Sequence, residues 1–248
     1  MLKIENVTKK YSNGITGIEN FSLSMADSEI VCIAGPNGSG KTTLINCVLD
    51  VIPMTSGSIS FNGLPCGKEE YKQSIAYVAD ETILIDSLSG EEYIDFISSM
   101  YGKHDEVKRN SLIELFSMQG ALKQIVSTYS HGMRKKLQLI CAFMLECKLI
   151  ILDEPTRGLD VESIVSLKKL MKKYQEAGGS ILMSTHNLSA AESYCDRFSI
   201  ISGGALIAEG TAEELKSRYD ADNMEEVFMK SSVLSERSER IEEIIAGM

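Results

Sequence analysis

The chain has 248 residues, of which 44% are hydrophobic and 24% are charged. These are ordinary values for a globular protein, and they exclude a disordered or low-complexity chain. The formal net charge of −10 repels phosphate backbones and anionic lipid, which excludes a protein that coats nucleic acid through its overall charge.

The first third of the chain predicts strands, a glycine-rich loop and one helix. The helix is predicted from Lys41 to about Val51, directly after the loop. The strands are predicted at residues 2–7, 21–25, 30–34, 57–61 and 75–78.

The middle of the chain predicts helices. Ser89 and Glu92 form a capping-box pattern that opens a helix to about Tyr101. Residues 105–118 have a helical period, and Ser130 is expected to cap a third helix that runs to about residue 146. Together these predict a helical insertion at about residues 85–145.

Strands and helices alternate again in the last part, which predicts an α/β fold with a mainly parallel sheet. Helices are predicted at 161–176, at a segment capped by Ser189 and at one capped by Thr211. The strands are predicted at residues 149–152, 181–184, 198–201 and 205–208.

The six cysteines form no CxxC pair and no metal-binding spacing, so a reducing compartment is expected. The most apolar stretch, residues 137–152, is interrupted by Gln138, Glu146 and Lys148. We therefore expect that it does not span a membrane, and that any membrane crossing belongs to another chain.

Residues 35–42 match the phosphate-binding pattern G-x-x-x-x-G-K-[ST], between a predicted strand and a predicted helix. Glycines let main-chain N–H groups converge on phosphate oxygens, and the helix N-terminus adds positive charge. Lys41 is expected to reach the β- and γ-phosphates, and the Thr42 hydroxyl is expected to bind Mg²⁺. The whole loop reads Gly35, Pro36, Asn37, Gly38, Ser39, Gly40, Lys41 and Thr42.

The apolar run at 149–152 ends in two carboxylates, Asp153 and Glu154. A buried strand that delivers Asp153 beside a phosphate loop would hold Mg²⁺, directly or through water. Glu154 is expected to act as the general base for the attacking water. The alternative is an ordinary strand with an acidic turn, since Pro155 follows immediately.

In their order along the chain, these motifs resemble the ATP-binding cassette family, the ATPase subunits of ABC transporters. The resemblance covers about residues 1–218. It implies a P-loop NTPase core with a mainly parallel sheet, an N-terminal antiparallel β portion and the inserted helical subdomain. It also implies ATP and Mg²⁺ as cofactors and ATP hydrolysis as the activity. Residues 219–248 are predicted to form a C-terminal amphipathic tail.

The signature of this family, usually Leu-Ser-Gly-Gly-Gln, corresponds to residues 129–133, which read Tyr-Ser-His-Gly-Met. The chain departs from the pattern at the first, third and fifth positions. Ser130 and Gly132 retain the implied role, in which a hydroxyl and a helix N-terminus cap the γ-phosphate bound by the opposite subunit. His131 is included in this nucleotide contact.

Further roles come from the same resemblance. Asp160 falls in the family's dimer-contact loop and is also expected to cap the next helix. His186 resembles the switch histidine, which senses the γ-phosphate and partners Glu154. Tyr11 matches the aromatic residue on which adenine stacks, although a core tyrosine is the alternative. Thr43 extends the nucleotide contact of the phosphate loop.

The glutamine that the family places after the strand at 75–78 is absent, and Asp80 occupies its position. A carboxylate can still ligate Mg²⁺ or orient water. Whether Asp80 or Glu81 fills the role stays open. The apolar residues that follow, Ile83, Leu84, Ile85 and Leu88, are expected either to contact a membrane partner or to pack in the insertion.

Two basic clusters contain no interleaved aromatic residues and the net charge is −10, so no nucleic-acid partner is expected. Arg134, Lys135 and Lys136 are interpreted as a solvated helix face or as a contact to the partner's nucleotide. Lys168, Lys169, Lys172 and Lys173 are interpreted as an exposed helix stripe.

The resemblance therefore implies a cytoplasmic ATPase subunit, held at the inner face of the membrane by a separate transmembrane permease. A second cassette, identical or different, would complete its ATP sites. The signature variant and residues 224–229 resemble single-cassette exporters of the ABC-2 type. The alternatives are a soluble ABC-type ATPase that acts on ribosomes or DNA, and a P-loop kinase for small molecules.

Overall fold

The computed structural model of the protein describes residues 1–81 and 83–231. This part of the chain folds as two compact units. The first contains residues 1–68 and the described residues from 184 onward, and the second contains residues 69–183.

The described elements are as follows. The strands are β1 (Leu2–Lys10), β2 (Thr16–Met25), β3 (Ile30–Ala34), β4 (Ser56–Phe61), β5 (Leu64–Pro65), β6 (Ile75–Val78), β7 (Leu149–Asp153), β8 (Ser180–Thr185), β9 (Arg197–Ser202) and β10 (Ala205–Gly210). The helices are α1 (Lys41–Val48), α2 (Glu69–Gln73), α3 (Gly90–Tyr101), α4 (Glu106–Leu115), α5 (His131–Met144), α6 (Val161–Glu176), α7 (Leu188–Glu192), α8 (Ala212–Tyr219) and α9 (Met224–Ser231).

The first unit contains an antiparallel sheet with the strand order β2-β1-β4-β5. Ile4 on β1 pairs with Leu23 on β2 and with Ile59 on β4, and all three side chains are buried. This alternation of buried and exposed residues is typical of a sheet with one face on the core. In the same unit β3 runs parallel to β9, and β9 runs antiparallel to β10.

In the second unit the strand order is β8-β7-β6, and β6 and β7 are parallel, with Val78 opposite Leu152. Every residue of β7 is buried, which fits a strand covered on both faces. Helices α3, α4 and α5 fall within the predicted insertion at 85–145, whose boundaries stay a prediction. The predicted α/β class with an antiparallel N-terminal portion is confirmed.

Several predicted helices are a few residues too long, for one shared reason. The chain reaches a left-handed residue two positions after the last helical one, at Asp50 after α1, at Ser117 after α4 and at Glu146 after α5. A residue in the left-handed conformation cannot continue a right-handed helix, so the helix ends there although the apolar period continues.

The predicted cap at Ser189 is wrong. Asn187 caps α7, because its side-chain oxygen accepts a hydrogen bond from the Ala190 N–H at 3.0 Å. Ser189 lies inside the helix, where its N–H donates to the Glu225 carboxylate at 2.9 Å. The predicted caps Ser89, Ser130 and Thr211 are confirmed.

The predicted tail begins as helix α9, and its part beyond residue 231 lies outside the described residues. All six cysteines are described, and they are free thiols. Within residues 1–81 and 83–231 the structure contains no helix that meets the length and hydropathy of a membrane span.

Candidate functional site

The phosphate loop, residues 35–42, connects the buried strand β3 to helix α1 in the first unit. Gly40 has φ +108°, and a Cβ there would lie 2.3 Å from the carbonyl oxygen of Gly17. Only glycine fits this position. Helix α1 has no side-chain N-cap, so the N–H groups of its first turn are left for a ligand. Such a terminus is an anion-binding site.

Two side chains of the phosphate loop add to this capacity. The Lys41 ammonium donates to the carbonyl oxygens of Gly35 at 2.7 Å and Pro36 at 3.1 Å. The Ser39 hydroxyl is buried and has no hydrogen-bond partner among the described residues. A buried polar group that lacks a partner points to a missing ligand, and a phosphate oxygen fits its chemistry.

Tyr11 is fixed beside this loop within the same unit. Its hydroxyl is hydrogen-bonded to the Thr43 hydroxyl at 3.1 Å, and the Lys9 ammonium lies 5.3 Å from the ring centroid. A Cβ at residue 17 would lie 2.9 Å from the Tyr11 ring, so Gly17 makes room for it. The ring is 38% exposed. It is therefore a held aromatic surface rather than a core residue.

His186 follows strand β8 directly, and its side chain is exposed. The next residue, Asn187, caps helix α7, and its own N–H donates to the Thr185 hydroxyl at 3.1 Å. The histidine thus sits on a short turn whose two ends are hydrogen-bonded.

In the second unit, the parallel pairing of β6 and β7 brings three carboxylates to one edge of the sheet. Since Val78 lies opposite Leu152, Asp80 emerges beside Asp153 and Glu154. We call Asp80, Asp153 and Glu154 the carboxylate edge. Asp153 is 6% exposed, and Glu154 has φ +45°, a left-handed conformation that is uncommon outside glycine. Backbone strain of this kind concentrates at functional positions.

The Asp80 carboxylate has two different oxygen environments. Its Oδ2 accepts a hydrogen bond from the Arg157 guanidinium at 2.7 Å, and its Oδ1 is buried without a partner among the described residues. Burial raises the pKa of Tyr77, and the nearby charges of Asp153 and Asp80 raise it further. Carboxylate oxygens are the ligands that Mg²⁺ prefers. The unpartnered Oδ1 and the buried Asp153 offer oxygens of this kind, although among the described residues no three His, Cys, Asp or Glu side chains form a metal-binding group by themselves.

The interpretation of Arg134, Lys135 and Lys136 as a solvated face is wrong. Lys135 is 0% exposed, and its ammonium donates to the carbonyl oxygens of Ala79 at 2.6 Å and Asp80 at 3.2 Å. Burial lowers the pKa of Lys135, whereas the charges of Asp80 and Asp153 act to raise it.

The two neighbours of Lys135 form ion pairs instead of facing water freely. Arg134 pairs with Asp86 at 2.7 Å, and Lys136 pairs with Asp160 at 2.8 Å. By contrast, Lys169, Lys172 and Lys173 on helix α6 are exposed, as the predicted stripe requires, and Lys168 is half-buried.

The signature begins helix α5, where Ser130 is the N-cap and accepts a hydrogen bond from the Met133 N–H at 3.3 Å. The side chains of Ser130 and His131 are exposed. His131 packs on Gly158, since a Cβ at residue 158 would lie 2.2 Å from its ring, and Gly132 faces the Gly158 carbonyl. The signature and the following loop therefore form one surface.

We call this the signature surface, and it comprises Ser130, His131, Gly132, Gly158 and Asp160. Asp160 caps helix α6, as predicted, by accepting a hydrogen bond from the Ser163 N–H at 2.8 Å. A hydrogen bond from the Lys136 ammonium, with that of Ser163, lowers the pKa of Asp160. The carboxylate is therefore ionised at neutral pH.

The first signature position departs from the family pattern for a packing reason. Tyr129 is buried, and its hydroxyl donates to the Ala121 carbonyl oxygen at 2.8 Å. A Cβ at residue 90 would lie 2.1 Å from that hydroxyl, so Tyr129 fills the space above Gly90 at the start of α3.

Sequence reasoning missed the two cationic residues that bind Asp80 on the carboxylate edge, Lys135 and Arg157. Lys135 shares a helical face with Leu139, Ala142 and Phe143, which are buried, and that period could have placed it inside. Arg157 had no such signal, because its partner Asp80 lies 77 residues away.

Comparison with known proteins places these features in one family. Residues 18–157, more than half of the chain, match the family model described as ABC transporter. The ABC-type transporter ATP-binding protein EcsA of Bacillus subtilis is 33% identical over 224 residues, covering 88% of this chain and 90% of EcsA.

Two further matches agree. The SkfA peptide export ATP-binding protein SkfE of Bacillus subtilis is 33% identical over 213 residues, which cover 84% of this chain and 88% of SkfE. A solved ATP-binding subunit of an ABC transporter superposes with a TM-score of 0.88 at 30% identity, and the match covers 93% of this chain and 99% of that one. The chain therefore belongs to the ABC transporter family, as an ATP-binding subunit that hydrolyses ATP.

Proposed function

We propose that this subunit works as one of a pair of cassettes that bind MgATP and drive a separate transmembrane permease in an exporter. The observation that carries the proposal is the signature surface. It presents an exposed hydroxyl and a helix N-terminus beside the dimer-contact loop, which is the chemistry needed to bind a γ-phosphate from outside. Export follows from the similarity to SkfE, whose name describes peptide export.

Nucleotide binding rests on the first unit. The main-chain N–H groups of the phosphate loop and the Lys41 ammonium bind the phosphates, and the held ring of Tyr11 stacks on adenine. Lys41 must then exchange its bonds to the loop carbonyls for bonds to phosphate oxygens. Thr43 links the two parts, because its hydroxyl holds Tyr11 while its main chain continues helix α1.

Hydrolysis rests on Glu154. As general base, its carboxylate takes a proton from water as the water oxygen bonds to the γ-phosphorus and the bond to ADP breaks. We assign His186 of the first unit to sensing the γ-phosphate. Thr42 in the first unit, and Asp153 and Asp80 in the second, carry oxygens of the kind that would hold Mg²⁺. When bound, this ion neutralises the charge that develops on the phosphates.

The permease contact is proposed for the segment that follows the carboxylate edge. Ile83 is 83% exposed and Ile85 is exposed, whereas Leu84 and Leu88 are half-buried. Exposed aliphatic side chains of this kind mark an interaction surface. Docking there would place the subunit at the inner face of the membrane.

Dimerisation on ATP tests the proposal directly. Glu154→Gln protein should be dimeric by light scattering with MgATP and monomeric with MgADP, because ADP lacks the γ-phosphate that the signature binds. Adding Ser130→Asp should abolish that dimer. Aspartate caps a helix as well as serine does, so α5 is retained, but its charge repels the γ-phosphate.

The matched control is Ser89→Asp in the Glu154→Gln background, which changes the cap of α3 and should leave the dimer intact. If the chain pairs only with a different cassette, the same measurement is made on the reconstituted permease complex. A complex with one cassette, or a dimer that survives Ser130→Asp, would contradict the proposal.

The permease contact has its own test. Ile83→Asp and Leu84→Asp should retain the fold and MgATP binding while losing co-purification with the permease. Loss of the fold in Leu84→Asp alone would assign that residue to the core of the insertion. Retention of the permease by both folded variants would reject the contact.

A further inference from the structure

Lys135 is a lysine with no exposed surface, which is rare for this residue type. Burying an ammonium is unfavourable unless hydrogen bonds replace its water. Here the bonds go to two consecutive main-chain carbonyls, those of Ala79 and Asp80. The cation therefore clamps the chain at the point where β6 ends and the carboxylate edge begins.

Asp80 is held by two cations that reach it from different directions. Lys135 from helix α5 binds its main chain, and Arg157 from the loop after β7 binds Oδ2 at 2.7 Å. The carboxylate is thereby fixed with Oδ1 left over, buried and without a partner among the described residues. Asp80 is therefore fixed at its main chain and at Oδ2, while its buried Oδ1 can still accept a bond from a ligand.

We propose that Lys135 is a positioning residue for Asp80. By fixing the carbonyls of residues 79 and 80, it sets where the Asp80 carboxylate presents Oδ1, while Arg157 neutralises the other oxygen. The inference rests on the proposed role of Asp80 toward Mg²⁺ or the attacking water. Lys135 itself touches neither, because both of its bonds end on main-chain oxygens.

The location of Lys135 gives this clamp a second consequence. It lies on helix α5, five positions after the signature residue Ser130. One helix thus carries the residue that caps the γ-phosphate of the opposite subunit and the cation that positions Asp80. Engagement of the signature and the placement of Asp80 are joined by the same rigid element.

The test replaces Lys135 with Met, which keeps the length and removes the ammonium, and with Gln, which keeps an N–H donor without the charge. Loss of groups that orient a metal-binding carboxylate typically costs about 10- to 100-fold. We expect kcat to fall by this factor in Lys135→Met, with a higher Mg²⁺ concentration for half-maximal activity. Lys135→Gln should recover part of the loss, and Lys169→Met is the exposed control.

A binding readout separates positioning from support of the fold. In the Glu154→Gln background, Lys135→Met should reduce the rise in Tm caused by MgATP and leave the rise caused by ATP with EDTA unchanged. If the variant has a lower Tm but the normal rise in Tm with MgATP, Lys135 only stabilises the fold and the proposal is overturned. If the Met variant does not fold, Lys135→Gln carries the same comparison.

A double-mutant cycle with Asp80→Asn decides whether Lys135 acts through Asp80. If it does, the double mutant is no slower than Asp80→Asn alone. If the two losses in kcat multiply in the double mutant, the proposal is overturned. The bonds of Lys135 to the main chain are still present in Asp80→Asn, so any further loss on removing Lys135 would not act through the Asp80 carboxylate. A normal Asp80→Asn enzyme combined with a slow Lys135→Met enzyme would instead reject the proposed role of Asp80 and this inference together, and would leave the ATPase assignment untouched.

Discussion

The phosphate loop and the carboxylate edge are built in opposite ways. The loop is contiguous, and its shape comes from its main chain, so that even Lys41 bonds to carbonyls five and six residues before it. The carboxylate edge is assembled from distant segments, with Lys135 bonding 56 residues back and Arg157 bonding 77 residues back. A site formed by the main chain tolerates few substitutions of its glycines. In a site formed by side chains, a charged residue can be replaced if a partner residue is replaced with it.

The two sites also differ in how closely they follow the family pattern. In residues 35–42 every motif position is kept, because the main-chain geometry leaves no substitute for glycine. At the carboxylate edge, Asp80 stands where the resemblance places a glutamine. The Arg157 guanidinium binds its carboxylate, and the Lys135 ammonium binds its main-chain carbonyl.

The largest expected effect comes from replacing Glu154, the proposed general base on the carboxylate edge. Glu154→Gln should lower kcat by about 10²–10⁴-fold, since general-base catalysis contributes that much, and ATP binding should be kept. Phosphate release and nucleotide affinity measure the two separately, with Glu162→Gln on α6 as the exposed control. Phosphate release within threefold of wild type would remove Glu154 from the mechanism.

Adding one carbon should break the phosphate loop. In Gly40→Ala the new methyl group would lie 2.3 Å from the Gly17 carbonyl oxygen at φ +108°, so the loop must shift. We expect ATP binding to weaken and the rate of hydrolysis to fall by about 10²-fold, because a misplacement of about 1 Å costs that much in rate.

The control for this prediction is Gly67→Ala. It also has positive φ, but nothing lies within 4 Å of its Cβ. It should bind ATP normally, apart from a small loss of stability. Equal ATP affinities of the two variants would show that the close approach at Gly40 is not required for the shape of the loop.

Asp80→Asn and Glu81→Gln decide between two neighbouring carboxylates. Asp80 is held by Lys135 and Arg157, whereas Glu81 is exposed. We therefore expect a loss of about 10- to 100-fold in kcat for Asp80→Asn and little change for Glu81→Gln. The reverse order in steady-state ATPase assays would transfer the role to Glu81.

Two substitutions of Tyr11 should distinguish stacking of its ring on adenine from the hydrogen bond that its hydroxyl makes to Thr43. Tyr11→Ala should weaken ATP binding about tenfold, since stacking on a base contributes about 1–3 kcal/mol. Tyr11→Phe keeps the ring and loses only the bond to Thr43, so it should weaken binding a few fold. Fluorescence titration with ATP measures both, and kcat at saturation should not change. A loss in Tyr11→Phe as large as that in Tyr11→Ala would mean that the hydroxyl, and not the ring, supports nucleotide binding.

The smallest effect concerns the signature surface and depends on pH. Asp160→Asn keeps the N-cap and loses the ion pair with Lys136, which costs less than about 1 kcal/mol at an exposed site. Because the hydrogen bonds from Lys136 and Ser163 lower the pKa of Asp160 on folding, the wild-type advantage is fully present above its ordinary value of 3.8. It is lost as the pH falls through the depressed folded-state value. Urea unfolding at pH 7 and pH 3 should show the difference shrinking, and a difference that grows in acid would contradict it.

Many elements of the fold could be predicted from local signals, although α2 and β5 were not. Strands β3 and β6 and helix α6 have the predicted bounds, because apolar runs, capping residues and punctuation act over neighbouring positions. The ends of α1, α4 and α5 could not be predicted, because each helix is followed by a left-handed residue. Whether that conformation is needed depends on the direction of the chain after the helix, which the local sequence does not show. The predicted cap of α7 was wrong because two nearby polar residues, Asn187 and Ser189, compete for one helix N-terminus.

The site divides in the same way. Gly35–Thr42 could be predicted because a phosphate loop is a continuous main-chain shape that needs glycines at fixed spacing. The helical period could have indicated the burial of Lys135, but its bonds to the end of β6 and the pairing of Arg157 with Asp80 were decided by tertiary structure alone. Three separate segments meet there, and the charge of a side chain says nothing about its partner until the fold has brought that partner within hydrogen-bond distance.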